Sequence, residues 1–241
     1  MIVMGLDFET SGLSAETDRV LEVGAILWDT SNGGFPLSFI SEYCYEDSMK
    51  IEEFSREALN QNQINLEVMK KYGKPFKKIF KDLGKDAQAF VAHNGTTFDY
   101  LFYKAECKRA GIEPSKKVWI DTSCDLPYHE RITTRKLTHL AAEHEFLNPF
   151  PHRAIFDVMT MLRIFQRYDP QIAYELAKQP TIVLQAMVSF DEKQKAKDRG
   201  YRWKDETKQW LKPFKLSQVL QEKTLANFQV REVEHILPEW A

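Results

Sequence analysis

Residues 2–13 read IVMGLDFETSGL, an apolar run that ends in two carboxylates, Asp7 and Glu9, just before a polar turn. Such a run predicts a buried strand, and the strand period of two places both carboxylates on one face of the sheet. Residues 20–28, VLEVGAILW, form a second run rich in branched and aromatic side chains. The intervening SGLSAETDR carries the Ser, Gly, Thr and Asp of a turn, so a second strand is expected after it. A third strand is expected near Leu37–Tyr45.

From Ser55 to Leu83, Leu, Met, Phe and Ile recur at threes and fours among lysines and glutamates, which predicts helix. Residues 87–92 return to strand. The stretch HNGTTFDYLFYKAECKRAG, residues 93–111, reads as a loop entering a helix, with Asn94 and Thr96 or Thr97 as candidate caps and Gly111 as the stop. Another short strand is predicted at Val118–Asp121, and helices at Thr134–His144 and Ala154–Tyr168. Strands alternating with helices specify an α/β layer structure.

Beyond Pro180 the pattern changes. TIVLQAMVSF predicts a strand, DEKQKAKDRG a short helix closed by glycine, and YRWKDETKQWLK a hairpin. This organisation divides the chain into a larger domain, residues 1–178, and a small α+β module, residues 179–241. Signals from Ser217 onward are mixed and specify no element.

With 241 residues, 43% of them hydrophobic, the chain can bury a substantial core. A net charge of −2 gives no whole-molecule field that would attract a polyanion, so any nucleic-acid site must be local. Cys44, Cys107 and Cys124 are odd in number and widely spaced, unlike a zinc site or a disulfide framework. Reduced thiols are expected. Acidic residues from position 7 leave no room for a signal peptide, and no apolar run reaches the roughly 20 residues of a membrane span. A cytoplasmic protein with no membrane partner is expected.

Asp7 and Glu9 supply a pair of hard oxygen ligands. Two cations such as Mg²⁺ or Mn²⁺ about 3.5–4 Å apart take such ligands and stabilise attacking and leaving oxygens of a phosphodiester displacement. Taken singly, D-x-E at a strand end is more commonly a solvated edge or a partner for a nearby helix terminus. Asp99, at the start of a helix after the apolar AFVA strand, is by itself an ordinary acid at the positive end of a helix dipole. In HRAIFD, residues 152–157, His152 lies on a loop and Asp157 interrupts the apolar start of a helix. A carboxylate beside so much apolar surface needs a partner, which a metal or the helix dipole would provide.

The ordered set resembles the DEDDh superfamily of 3′→5′ exonucleases. D-x-E-(T/S)-(T/S/G)-G-L is matched at residues 7–13, an arginine before I-(I/L)-E-(I/V)-(G/A) at residues 19–24, histidine and asparagine ahead of F-D at His93-Asn94 and Phe98-Asp99, and H-x4-D at His152 and Asp157. The resemblance spans residues 3–168 and implies a ribonuclease H-like fold, a mixed central sheet flanked by helices. It implies two divalent cations, Mg²⁺ or Mn²⁺, with Asp7, Glu9 and Asp157 on the first and Asp7 bridging to the second. Asp99 would act through the second metal's waters. His152 would be general base on the attacking water, a role suited to imidazole. A terminal nucleotide would be held by Thr10, Leu13, His93, Asn94 and Phe98. Packing alone also accounts for a turn threonine, a loop leucine and a core phenylalanine.

Residues 191–215 carry nine Lys or Arg against five Asp or Glu, a local charge of +4, interleaved with Tyr201, Trp203, Trp210 and Phe214. Cations neutralise phosphates and rings stack bases, so Tyr201, Trp203 and Trp210 are candidate nucleic-acid contacts; the alternative is a small domain whose tryptophans form its own core. The stretch resembles small modules attached to nucleic-acid enzymes of phage and bacteria. An exonuclease on DNA, serving repair, proofreading or phage DNA metabolism, is the favoured reading. An exoribonuclease of the same chemistry is the second, and a non-catalytic nucleic-acid-binding protein the third.

Overall fold

In the computed structural model, described for residues 1–239 apart from Asp82, Glu130 and Thr133, the chain forms two compact units, Met1–Tyr174 and Glu175–Ala241. The first holds a five-stranded mixed sheet ordered β3-β2-β1-β4-β5. Its strands are β1 (Ile2–Thr10), β2 (Val20–Asp29), β3 (Phe35–Tyr43), β4 (Ala89–Ala92) and β5 (Val118–Asp121). β1, β2 and β3 pair antiparallel through short connections, whereas β4 and β5 run parallel to β1. The apolar runs of β1 and β2 become the buried centre of the sheet, with Val3, Leu6, Val20, Leu21, Val23 and Ile26 inaccessible to solvent.

The helical stretch between residues 55 and 83 is three short helices rather than one. They are α1 (Arg56–Asn62), α2 (Leu66–Tyr72) and α3 (Phe76–Phe80). Ser55 caps the first by accepting from the Ala58 amide, and Asn65 caps the second by accepting from the Glu67 and Val68 amides. Each cap restarts the helix, and Pro75 sits at the head of the third. The apolar residues that suggested a continuous stripe instead converge on Leu21, where Ile64 and Met69 form a small core with it.

α4 (Asp99–Ala110) ends as expected at Gly111, which takes the left-handed conformation at φ 63°. Its start differs from the sequence expectation, because neither Asn94 nor either threonine caps it. Phe98 occupies the cap position, and the amides of Asn94 and Thr96 are bonded to the Asp121 carboxylate. α5 (Leu137–Glu143) and α6 (Ala154–Phe165) follow, then α7 (Pro170–Ala177).

α6 packs on β1 and β2. Two glycines permit it. A Cβ at Gly5 would lie 2.7 Å from Leu162 Cδ1, and one at Gly24 would lie 2.3 Å from the Ala154 carbonyl carbon and 2.5 Å from the Ile155 nitrogen. The first conflict is with a side-chain tip; the second is with helix backbone, which has no rotamer by which to yield.

In the second unit, β6 (Thr181–Met187), β7 (Arg202–Lys204), β8 (Gln209–Lys215) and β9 (Gln229–Ile236) form an antiparallel sheet ordered β7-β8-β6-β9. α8 (Lys193–Asp198) is followed by Gly200 at φ 79°, and α9 (Leu216–Leu225) occupies part of the stretch to which the sequence assigned no element. Ile182, Leu184, Ala186, Ala196, Tyr201 and Val219 form the core of this unit. No disulfide links Cys44, Cys107 and Cys124. No described helix is long and apolar enough to cross a membrane.

Candidate active site

The end of β1 and the start of α6 build the site. On β1, Asp7 lies opposite Gly24 of β2, and Glu9 opposite Glu22. Because Gly24 has no side chain, the α6 backbone comes down beside Asp7, carrying Asp157 with it. One donor atom from each of Glu9, His152 and Asp157 falls within 4.8 Å of the others, which is ligand spacing for a cation. Asp7 is outside that threesome but shares its field. Its carboxyl is held well above the ordinary carboxylate range by burial first, then by the charges of Asp99, Asp157, Glu9 and Glu22. Glu9 is pushed up to about 8 by burial, then by Asp157, Glu22 and Asp99. Carboxylates crowded this way raise each other's proton affinity and, equally, their affinity for a cation. The donor set is all-oxygen plus one imidazole, and it fits a hard divalent ion.

Asp99 is buried, and burial raises it to about 8 although its Oδ1 accepts the Phe8 amide at 3.0 Å. That bond has a topological cause. The β1–β4 register ends at Gly5–Val91, so the Phe8 amide projects beyond the last β4 partner and Asp99 satisfies it. Asp157 is also raised, burial again leading, against lowering contributions from the His152 amide and the His152 charge. Its Oδ2 accepts the His152 backbone amide at 2.8 Å and its Oδ1 the Asn148 side-chain amide at 2.5 Å. His152 itself is exposed and left-handed at φ 64°. Such backbone costs about 1–2 kcal/mol in a non-glycine residue, and the amide bond to Asp157 offsets it. The Gln61 side-chain amide lies 3.2 Å from His152 Nδ1.

The other residues singled out by sequence are placed differently. Thr10 is buried, its hydroxyl donating to the Gly12 carbonyl at 2.7 Å and its carbonyl accepting Asn62 Nδ2 at 3.2 Å. Leu13 is 86% exposed, which leaves its side chain without a packing role. Asn94 is exposed at φ 59°, its Oδ1 accepting the Thr97 hydroxyl. Phe98 is half-buried against Phe102, with centroids 4.9 Å apart. His93 Nε2 donates to the Arg135 carbonyl at 2.7 Å and its Nδ1 lies 2.9 Å from the Thr122 hydroxyl, so both ring nitrogens are engaged within the protein. Burial lowers its pKa accordingly.

In the second unit Tyr201 lies in the core rather than at the surface. It is 2% exposed and its hydroxyl donates to Glu222 at 3.2 Å, beside the two bonds from Arg199 to the same carboxylate. Trp203 is 42% exposed and tilted on half-buried Trp210 at 5.6 Å.

Several site residues went unassigned in the sequence. Glu22 is 2% exposed and takes both nitrogens of the Arg153 fork at 3.1 Å, while Arg153 also reaches the Tyr43 hydroxyl at 3.2 Å. The signal was present, since Glu22 is the one acid inside the apolar run VLEVGAILW. Asp121, buried at the end of β5, anchors the loop ahead of Asp99.

Gly24→Ala is expected to destabilise the protein by about 1–3 kcal/mol, the usual cost of overpacking, and to lower any activity that depends on Asp157, because the helix carrying it must shift. Thermal melting and turnover check this. Unchanged values for both would show that the close approach of α6 does not set the site.

The exonuclease family model, RNase_T, matches residues 4–165. DNA polymerase III PolC-type of Ureaplasma parvum is 26% identical over 167 residues, which are 66% of this chain and 11% of that protein. Ribonuclease T of Salmonella typhimurium is 28% identical over 166 residues, 63% of this chain and 77% of that enzyme. E. coli exonuclease I in complex with a dA16 oligonucleotide superposes with a TM-score of 0.59 at 14% identity, over 77% of this chain and 48% of that one. At that identity the likeness is one of fold. The chain spans about a tenth of the polymerase and about half of exonuclease I.

Proposed function

The chain belongs to this exonuclease family, within the DEDDh superfamily of 3′→5′ exonucleases, and we propose that it removes nucleotides from the 3′ ends of DNA. The observation that carries the reading is the convergence of Glu9, His152 and Asp157 within ligand distance, beside a half-buried Asp7 whose charge is opposed by four other carboxylates. Exonucleases of this family use divalent metal ions. Bound here, such ions would neutralise the carboxylates and the developing charge on the phosphate.

Asp7, Glu9, Asp99 and Asp157 would hold the ions. His152 would take the proton of the attacking water. The Gln61 side-chain amide, its Nε2 3.2 Å from His152 Nδ1, would keep the ring oriented for that step. Water attacks the terminal phosphorus, the bond to the penultimate 3′ oxygen breaks, and a nucleoside 5′-monophosphate leaves. Leu13, Asn94 and Phe98 would hold the terminal nucleotide, with the Thr10 turn kept in place by Asn62. Arg153 neutralises Glu22, so that this acid supports the site without competing for metal.

DNA is favoured by the second unit, where Trp203 stays exposed amid a local excess of positive charge. RNA is the second reading, because ribonuclease T aligns over most of its own length. The decisive assay compares release from 3′-labelled single-stranded DNA, duplex DNA and RNA in Mg²⁺. Faster hydrolysis of DNA supports the proposal; RNA cleaved in preference selects the second reading, and no hydrolysis of any substrate defeats both.

A further inference from the structure

Between α5 and α6 the chain runs Leu147-Asn148-Pro149-Phe150-Pro151 into His152. Asn148 makes two bonds there. Its Nδ2 donates to Asp157 Oδ1 at 2.5 Å, and its Oδ1 accepts the Phe150 amide at 3.0 Å. With the His152 amide on Asp157 Oδ2, both oxygens of that carboxylate are gripped by one short segment. Pro149 and Pro151 fix φ on either side of Phe150, so the segment moves as a piece. It also displays apolar surface: Leu147 is 79% and Phe150 56% exposed, the latter's ring centroid 4.8 Å from that of Phe156 in the first turn of α6. An exposed ring on a stiff loop that ends at His152 is placed to meet the substrate.

We infer that Asn148 is a positioning residue, through which a base stacked on Phe150 sets the aim of Asp157 and the placement of His152. The inference rests on the exonuclease reading. The coupling is physical and short: the Phe150 amide is bonded to the same Asn148 amide group that holds Asp157, so displacement of the ring is passed on to the carboxylate. Side chains that orient metal ligands are typically worth 10–100-fold in affinity or activity. A stacked base is worth about 1–3 kcal/mol, roughly 5- to 150-fold.

Two readouts separate the parts. Mn²⁺ binding, followed by electron paramagnetic resonance without nucleic acid, should weaken roughly 10–100-fold in Asn148→Ala and remain at the wild-type value in Phe150→Ala. In oligonucleotide hydrolysis Asn148→Ala should lower kcat, whereas Phe150→Ala should both lower kcat and raise KM about 5- to 150-fold, with Phe150→Trp restoring both. The double variant should lose less than the product of the single losses. Should Asn148→Ala fail to melt cooperatively, Asn148→Ser takes its place in both assays.

Wild-type Mn²⁺ affinity in the folded Asn148 variant overturns the inference, as does a fully multiplicative double variant. An inactive wild type would instead defeat the exonuclease reading, and the Mn²⁺ isotherms would still report on Asn148.

Discussion

Asp7→Asn is expected to abolish hydrolysis while making the metal-free protein more stable at pH 8. Activity falls because Asp7, which shares the field of four other carboxylates, is one of the residues that would hold the ions. Losing an electrostatic contribution of several kcal/mol corresponds to a rate loss on the order of 10³-fold or more. Stability moves the other way for the same reason. Glu9 is raised from 4.5 to about 8 and Asp99 from 3.8 to about 8, and Asp7 is raised well above its ordinary range.

A carboxyl whose folded pKa exceeds its unfolded value favours the fold fully below about pH 4. That contribution is lost as pH rises through the folded value, here toward 8. Chelated wild-type protein should therefore melt at progressively lower temperature between pH 5 and pH 8.5. Asp7→Asn should flatten that slope, since it removes one of the crowded charges. Mg²⁺ or Mn²⁺ at a hundred times its dissociation constant should return about 2.7 kcal/mol to the wild type and much less to the variant. Calorimetric melts across that pH range, with and without chelator, decide the matter. A chelated variant that melts no higher than wild type at pH 8 would remove the charge-crowding account, and full activity would remove the role of Asp7 in holding the ions.

The same acids explain what could be read before the structure. Asp7, Glu9 and Asp157 stand in apolar runs, where a charge is conspicuous because it is costly, and β1, β2 and α6 are legible for the same reason: their apolar runs are long and face a core. Glu22 was equally conspicuous, although its partner Arg153 lies 131 residues away and no local pattern points to it. Asn148 and Gln61 carry no such signal, being polar residues on exposed segments whose meaning depends on Asp157 and His152 being nearby. β9 was invisible because QVREVEHI is an edge strand with charges at exposed positions, and strand alternation needs a buried face to show. Between residues 55 and 83 the apolar spacing was visible, but the restarts at Ser55 and Asn65 depend on caps that periodicity does not register. The partners of His93 carry no signal either, because one histidine on a loop reads alike whether its nitrogens face substrate or the carbonyl of Arg135.

His152→Ala should lower kcat by roughly 10²–10⁴-fold, the range for a general base, and leave Mn²⁺ affinity within a few-fold of wild type. The division follows from which atoms make which contacts. It is the main-chain amide of His152 that holds Asp157, and alanine keeps that amide. Only the ring is lost, and with it the acceptor for the water proton. The acidic limb of the pH–rate profile, which reports a base that must be unprotonated, should disappear from the residual activity. Gln61→Ala should act through the same ring with a smaller loss, since it removes only the neighbour of Nδ1. Because the ring also stands within 4.8 Å of donor atoms on Glu9 and Asp157, a ligand role is the competing assignment, and the isotherm separates the two. If Mn²⁺ affinity falls in step with kcat, His152 is a ligand; if the rate and its pH profile are unchanged, the ring takes no proton in the reaction.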